Sequence, residues 1–143
     1  MLDVGCWVLG VGCWVLGDVV QLNHLDMSFK FEKLIIWQES MRYGETIFLL
    51  SNKLPESEKF NLISQIQRAA DSIALNIAEG SILQSKLEFK RFLGYSIRSI
   101  AEVVTCLYKA KYRNYIDETE FQTVYEFSYK LMNSIISFRN KVE

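Results

Sequence analysis

The stretch from Gln65 to Gly80, QIQRAADSIALNIAEG, constrains the fold more than any other part of the chain. Ile63, Ile66, Ala70, Ile73 and Ile77 step by three and four residues, the period of one buried helix face. Ala70, Ala74 and Ala78 follow at intervals of four beside that stripe, and their small side chains let a neighbouring helix approach closely. Arg68, Ser72, Asn76 and Glu79 recur at helical spacing on roughly the opposite side. An ordinary solvated face carries Lys and Glu. This one carries Arg, Ser, Asn and one Glu, which also suits a subunit interface or a ligand surface. Gly80 reads as the stop, since glycine takes the left-handed position after a helix without steric cost.

Three further helices follow from the same logic. The first spans roughly Ser28 to Asn52, with one stripe of Leu34, Trp37, Met41 and Phe48 and a second of Ile36, Tyr43, Ile47, Leu50 and Leu54. Two stripes exceed what one side of a small bundle needs, and the surplus predicts a second buried surface. Pro55 suits the first turn of the second helix, with Glu56 and Glu58 set against its dipole. Ser85 and Glu88 form a capping pattern before the third helix, in which Phe89, Leu93, Ser96, Ile100, Val103, Leu107 and Ala110 alternate steps of four and three. That helix should stop near Arg113 and Asn114. Asp117 and Glu120 start the fourth, whose stripe is Phe121, Val124, Ser128, Leu131, Ile135, Phe138 and Val142. Short connections between long helices favour antiparallel neighbours, so the expected class is all-α, an up-down-up-down four-helix bundle.

Residues 1–26 stand apart. VGCWVLG at 4–10 is repeated at once at 11–17, with glycine at both ends of each copy and no heptad pattern. The uncharged run is too short to span a bilayer and lacks a basic start, so neither a membrane span nor a signal peptide is expected. It reads as a leader outside the folded domain, with Met27 as the natural start and 27–143 as the bundle. The single histidine, His24, and two of three cysteines, Cys6 and Cys13, lie in it. The remainder carries 16 basic and 14 acidic residues, too small an excess to coat nucleic acid by bulk charge.

Residues 27–143 contain no histidine, so they hold no Ser-His-Asp triad, Cys-His pair or histidine metal ligand. No P-loop or dinucleotide fingerprint is present. The expectation is a non-enzyme without metal or cofactor. Glu79 and Glu102 remain the acids on which a catalytic reading would rest, and capping or ion pairing accounts for them more simply. Cys106 alone cannot close an intramolecular disulfide, which fits a reducing cytoplasm.

Arg91, Arg98 and Lys109 share the outer face of the third helix, interrupted by Glu102. YKAKYRNY, Tyr108 to Tyr115, interleaves Lys109, Lys111 and Arg113 with tyrosines. Basic groups hold phosphates and tyrosine rings stack on unpaired bases. Cations near a helix C-terminus also favour its dipole, and tyrosines often cover a bundle end.

Phe31-Glu32-Lys33-Leu34, Trp37-Gln38, Leu54-Pro55 with Glu58, Gln65 with Arg68-Ala69-Ala70, Ser72-Ile73, Asn76-Ile77-Ala78-Glu79-Gly80, Glu88-Phe89, Phe92-Leu93 and Ser99 with Glu102 together resemble the small four-helix-bundle proteins encoded in intervening sequences of bacterial 23S ribosomal RNA genes. The likeness runs from about Phe29 to Glu143. It departs at Gln67, at Leu83-Gln84, and at Tyr95 and Arg98. The resemblance implies a pentameric ring, which would use the surplus apolar surface of the first helix, and association with structured RNA. A related bundle is the accessory protein of diversity-generating retroelements, which implies the alternative of an adaptor for a reverse transcriptase. On this reading Arg91, Arg98, Lys109, Lys111 and Arg113 contact phosphate. Arg68, Ser72, Asn76, Glu79, Gly80 and Glu102 form the motif surface or subunit interface.

Overall fold

A computed structural model describes residues 28–82 and 85–143 of the chain. The duplicated leader and Leu83-Gln84 lie outside the described residues. Four α-helices dominate: α1 (Ile35–Ser51), α2 (Ser64–Ser81), α3 (Lys86–Tyr112) and α4 (Glu118–Lys141), and no strand occurs among the described residues. Each helix packs on its neighbours in sequence, and α4 returns to α1.

The core is where the periodicity puts it. Tyr43 and Ile47 of α1, Ile66, Ile73 and Ile77 of α2, Leu93, Ile100, Val103 and Leu107 of α3, and Leu131 and Ile135 of α4 are all essentially inaccessible. Such side chains bring about 1.5–3 kcal/mol each relative to exposure. One buried polar pair crosses the bundle. The Tyr43 hydroxyl and Ser128 Oγ are 2.6 Å apart, and Ser128 Oγ also donates to the Val124 carbonyl at 2.8 Å. Burial pushes the Tyr43 phenol well above its ordinary value, although the Ser128 bond works the other way. Ile36 of α1 and Ser134, Phe138 and Lys141 of α4 line the same surface hollow.

The helix ends correct several expectations. The first helix does not run from Ser28. A 3-10 turn at Lys30–Lys33 comes first, and Leu34 is extended (φ −80°, ψ 119°) before α1 begins. Aromatic contacts fix that entry: Phe29 stacks on Phe31 at 5.5 Å, Phe31 packs on Trp37 at 5.1 Å, and Gln38 Nε2 donates to the Glu32 carbonyl at 2.7 Å. Pro55 does not open α2. It precedes a 3-10 turn at Glu56–Glu58 and a π turn at Lys59–Ile63. The Glu58 carboxylate is drawn away to the α3–α4 turn, and the chain enters α2 only afterwards.

Gly80 is not a helix stop. It lies inside α2, which continues to Ser81, and it is buried. A Cβ built there would stand 2.5 Å from Phe92 Cβ and 3.0 Å from Phe89 Cδ2. Glycine is required because α3 comes too close for any side chain. The pairs Gly80–Phe92, Ile73–Ser96, Ser72–Ser99 and Gln65–Glu102 run in opposite order along the two helices.

The boundary between α3 and α4 follows local rules. Asn114 is left-handed at φ 58°. Its N–H donates to Lys111 O at 2.9 Å, and the Tyr115 N–H donates to Ala110 O at 2.9 Å. These two bonds make a Schellman stop. Asp117 and Glu120 then form a reciprocal capping box. Ser85 caps α3 through the Glu88 N–H at 3.2 Å, but the Glu88 carboxylate turns to Arg91 and makes no return bond.

Candidate functional site

Arg91, Tyr95 and Arg98 sit at i, i+4 and i+7 on α3 and form one cluster. Arg91 Nε donates to the Tyr95 hydroxyl at 2.7 Å, and its guanidinium lies 5.8 Å from the ring centroid. The Arg98 guanidinium lies 5.7 Å from the same centroid. Tyr95 therefore engages two cations on one side chain, Arg91 through its hydroxyl and Arg98 through the attraction of the ring for positive charge. Arg91 also reaches Glu88, at 3.6 Å. Among the described residues no carboxylate lies within 4 Å of Arg98 or Lys109.

The polar residues of α2 lie against this cluster's helix. Ser72 Oγ and Ser99 Oγ are 2.6 Å apart, and Ser72 Oγ also donates to Ala69 O. Asn76 Nδ2 donates to Ser72 O at 2.7 Å, and Gln65 Nε2 to Glu102 Oε1 at 3.4 Å. Ser72 and Asn76 are half-buried, while Arg68 and Glu79 are exposed. The stripe is thus the flank of α2 that abuts α3, and not a face opposite the core. It and the outer face of α3 make one polar seam.

The five basic residues expected on one surface separate into two groups. Arg91, Arg98 and Lys109 remain on the outer face of α3. Lys111 and Arg113 turn to the end of the bundle. Lys111 Nζ pairs with Glu118 at 2.7 Å and lies 4.3 Å from the centre of the Phe121 ring. Arg113 donates to Glu58 Oε1 at 2.7 Å, where the Tyr115 hydroxyl also donates at 3.1 Å. Asn61 Nδ2 and the Leu62 N–H complete the Glu58 shell at 2.9 and 3.4 Å. Burial alone would raise this carboxyl. The bonds from Tyr115 and Leu62, the Arg113 charge and the Asn61 bond outweigh it and hold Glu58 below the usual carboxylate range.

On the other flank of α2 lies an apolar groove of about 490 Å³, between α1 and α2, lined by Phe31, Trp37, Met41, Ala74, Leu75 and Ala78. Met41 and Leu75 are 45% and 65% exposed; of the surplus stripe of the first helix, Met41 and Phe48 are uncovered, while Leu34 and Trp37 pack against the core. Cys106 is buried, and burial pushes its thiol up. Among the described residues no His, Cys, Asp and Glu cluster could hold a metal ion, and no helix is long and apolar enough to cross a membrane.

Residues 32–137 match the sequence model of the 23S rRNA-intervening sequence protein family. The chain belongs to that family. A solved structure with the same fold is a protein of unknown function from the S23 ribosomal protein family of Bacteroides thetaiotaomicron. It is similar over 75% of this chain and 96% of its own, with 23% identity and a TM-score of 0.69. No curated protein matches the chain. Tyr95 joins the site although it carries no charge of its own. Its signal is the Arg-x3-Tyr-x2-Arg spacing, which places all three side chains on one helix stripe.

Proposed function

We propose that this family member is a non-enzymatic, self-associating helical bundle that binds RNA through the seam between α2 and α3. The observation that carries this is the pair of guanidiniums held on Tyr95. Two guanidiniums engaged by one tyrosine concentrate positive charge on this stripe, and a guanidinium fork is suited to donate hydrogen bonds to a phosphodiester. Lys109 lies on the same face, beyond the exposed Glu102. The polar flank of Arg68, Asn76 and Glu79 organises the other wall of the seam, with Glu102 fixed by Gln65.

The up-down-up-down arrangement is supported by the opposite order of paired residues on α2 and α3. Self-association as a pentamer in the cytoplasm is the assembly we propose. The uncovered groove beside Met41 and Leu75 favours it, because such an apolar surface suits a subunit contact.

Binding of the full chain to a fluorescent structured RNA across a salt series tests the reading, beside a variant with Arg91→Gln and Arg98→Gln. Tight binding that weakens steeply with salt and drops in the variant supports it. A folded oligomer that fails to bind at low salt overturns it and leaves the protein–protein adaptor, of the reverse-transcriptase accessory kind, as the reading to pursue.

A further inference from the structure

The cations on α3 continue into an aromatic step. Arg91 and Lys109 are eighteen residues apart, about five whole turns, and Arg98 falls within about 20° of the line joining them. Tyr112 follows, three residues beyond Lys109 on the adjoining side of the same face. The track from Arg91 to Tyr112 is about 30 Å long at helical rise; Arg91, Arg98, Lys109 and Tyr112 are all exposed, and Glu102, held by Gln65, is the one acidic residue on the same line.

Tyr112 is 77% exposed, yet it is not a loose side chain on a bare helix end. Its ring centroid is 6.0 Å from that of Tyr108. Tyr108 is itself held edge-on by Phe121 at 4.9 Å and Tyr125 at 6.3 Å, and Phe121 stacks on Tyr125 at 5.6 Å. The outermost ring therefore stands on a packed aromatic base with its outer surface open. Lys111 and Arg113, its basic neighbours in sequence, are engaged by Glu118 and Glu58. The positive charge available beside the ring comes from Lys109.

We propose that Tyr112 stacks on an unpaired base of an RNA strand whose phosphates follow Lys109, Arg98 and Arg91 along α3. This rests on the RNA reading above and adds the class of RNA: single-stranded segments in preference to duplex. In a paired helix the base faces are stacked on one another, so none is available to Tyr112. In a single strand every base has an open face, and an exposed tyrosine beside a line of cations is the arrangement that holds it.

The test compares a fluorescent single-stranded RNA of roughly a dozen nucleotides, within the site sizes of single-strand binders, with a duplex of the same sequence. The full chain is used as wild type and as Tyr112→Ala, Tyr112→Phe and Arg98→Gln. Both Tyr112 variants leave the buried core untouched. The expected result is tighter binding of the single strand, a loss of roughly tenfold in Tyr112→Ala, and near wild-type binding in Tyr112→Phe, whose ring still stacks. Binding of both RNAs that falls in Arg98→Gln but not in Tyr112→Ala overturns the stacking proposal and leaves the RNA reading standing. Equal affinity for duplex and single strand also overturns it. Failure to bind either RNA overturns both.

Discussion

Gly80 of α2 meets Phe92 of α3 with no room for a methyl group between them. A Cβ at Gly80 would come within 2.5 Å of Phe92 Cβ. Alanine is the better helix former by about 1 kcal/mol, so propensity alone predicts that Gly80→Ala stabilises. The contact predicts the reverse, since overpacking a tight interface costs about 1–3 kcal/mol. We expect a net loss of stability in thermal or urea unfolding, read beside Gly94→Ala. At Gly94 the nearest atom to a new Cβ is Arg139 Nη2 at 3.9 Å, and that variant should be neutral or mildly stabilising.

The buried Tyr43–Ser128 pair makes an asymmetric prediction. Ser128→Ala strands the phenol hydroxyl in the core, at about 1–3 kcal/mol for an unsatisfied buried group. Tyr43→Phe leaves Ser128 still donating to Val124 O and should cost about 1 kcal/mol. The double variant should lose less than the two single losses together. A chemical-denaturation double-mutant cycle measures this coupling directly.

Glu58 predicts a pH dependence at the α3–α4 end. Its folded pKa is depressed, so the unfolded chain binds the proton more readily. Its contribution is fully present above the ordinary carboxylate range of about 4.3 and is lost as pH falls through the lower folded value. Glu58→Gln should therefore lower Tm relative to wild type at neutral pH. The gap should narrow below about pH 4. A gap that stays constant down to strong acid would show that the ion pair with Arg113 is not its source.

The two flanks of α2 can be told apart by mass. If the groove carries self-association, Leu75→Glu and Met41→Glu should lower the molar mass seen by light scattering while circular dichroism remains helical, because a charge placed in a buried contact is costly. Arg68→Ala, on the seam side, should then leave the mass unchanged. The opposite pattern would move the subunit contact to the seam.

Much of this was readable in the chain because the signals are local. The stripes of α3 and α4, the Asn114 stop and the Asp117–Glu120 box depend on residues within a few positions of one another. The local signal at Gly80 is ambiguous: a glycine after an apolar stripe suits both a helix end and a close helix crossing, and only the approach of Phe92 decides between them. The ion pairs of Lys111 and Arg113 are not legible in the sequence for a related reason. Arg113 meets Glu58, 55 positions away in sequence, and no spacing rule reports such a partner. Arg91, Tyr95 and Arg98 share one stripe in the sequence, but charge spacing alone does not report that the tyrosine between two arginines engages both.

The hollow shared by Ile36 and Lys141 has a topological consequence. Residues from the start of α1 and the end of α4 line one hollow, which puts these two helix ends on the same side of the bundle and makes the order in which the helices are synthesised separable from the order in which they pack. A short flexible linker joining the two ends, with new termini opened between α2 and α3, should give a circular permutant that still assembles the same bundle.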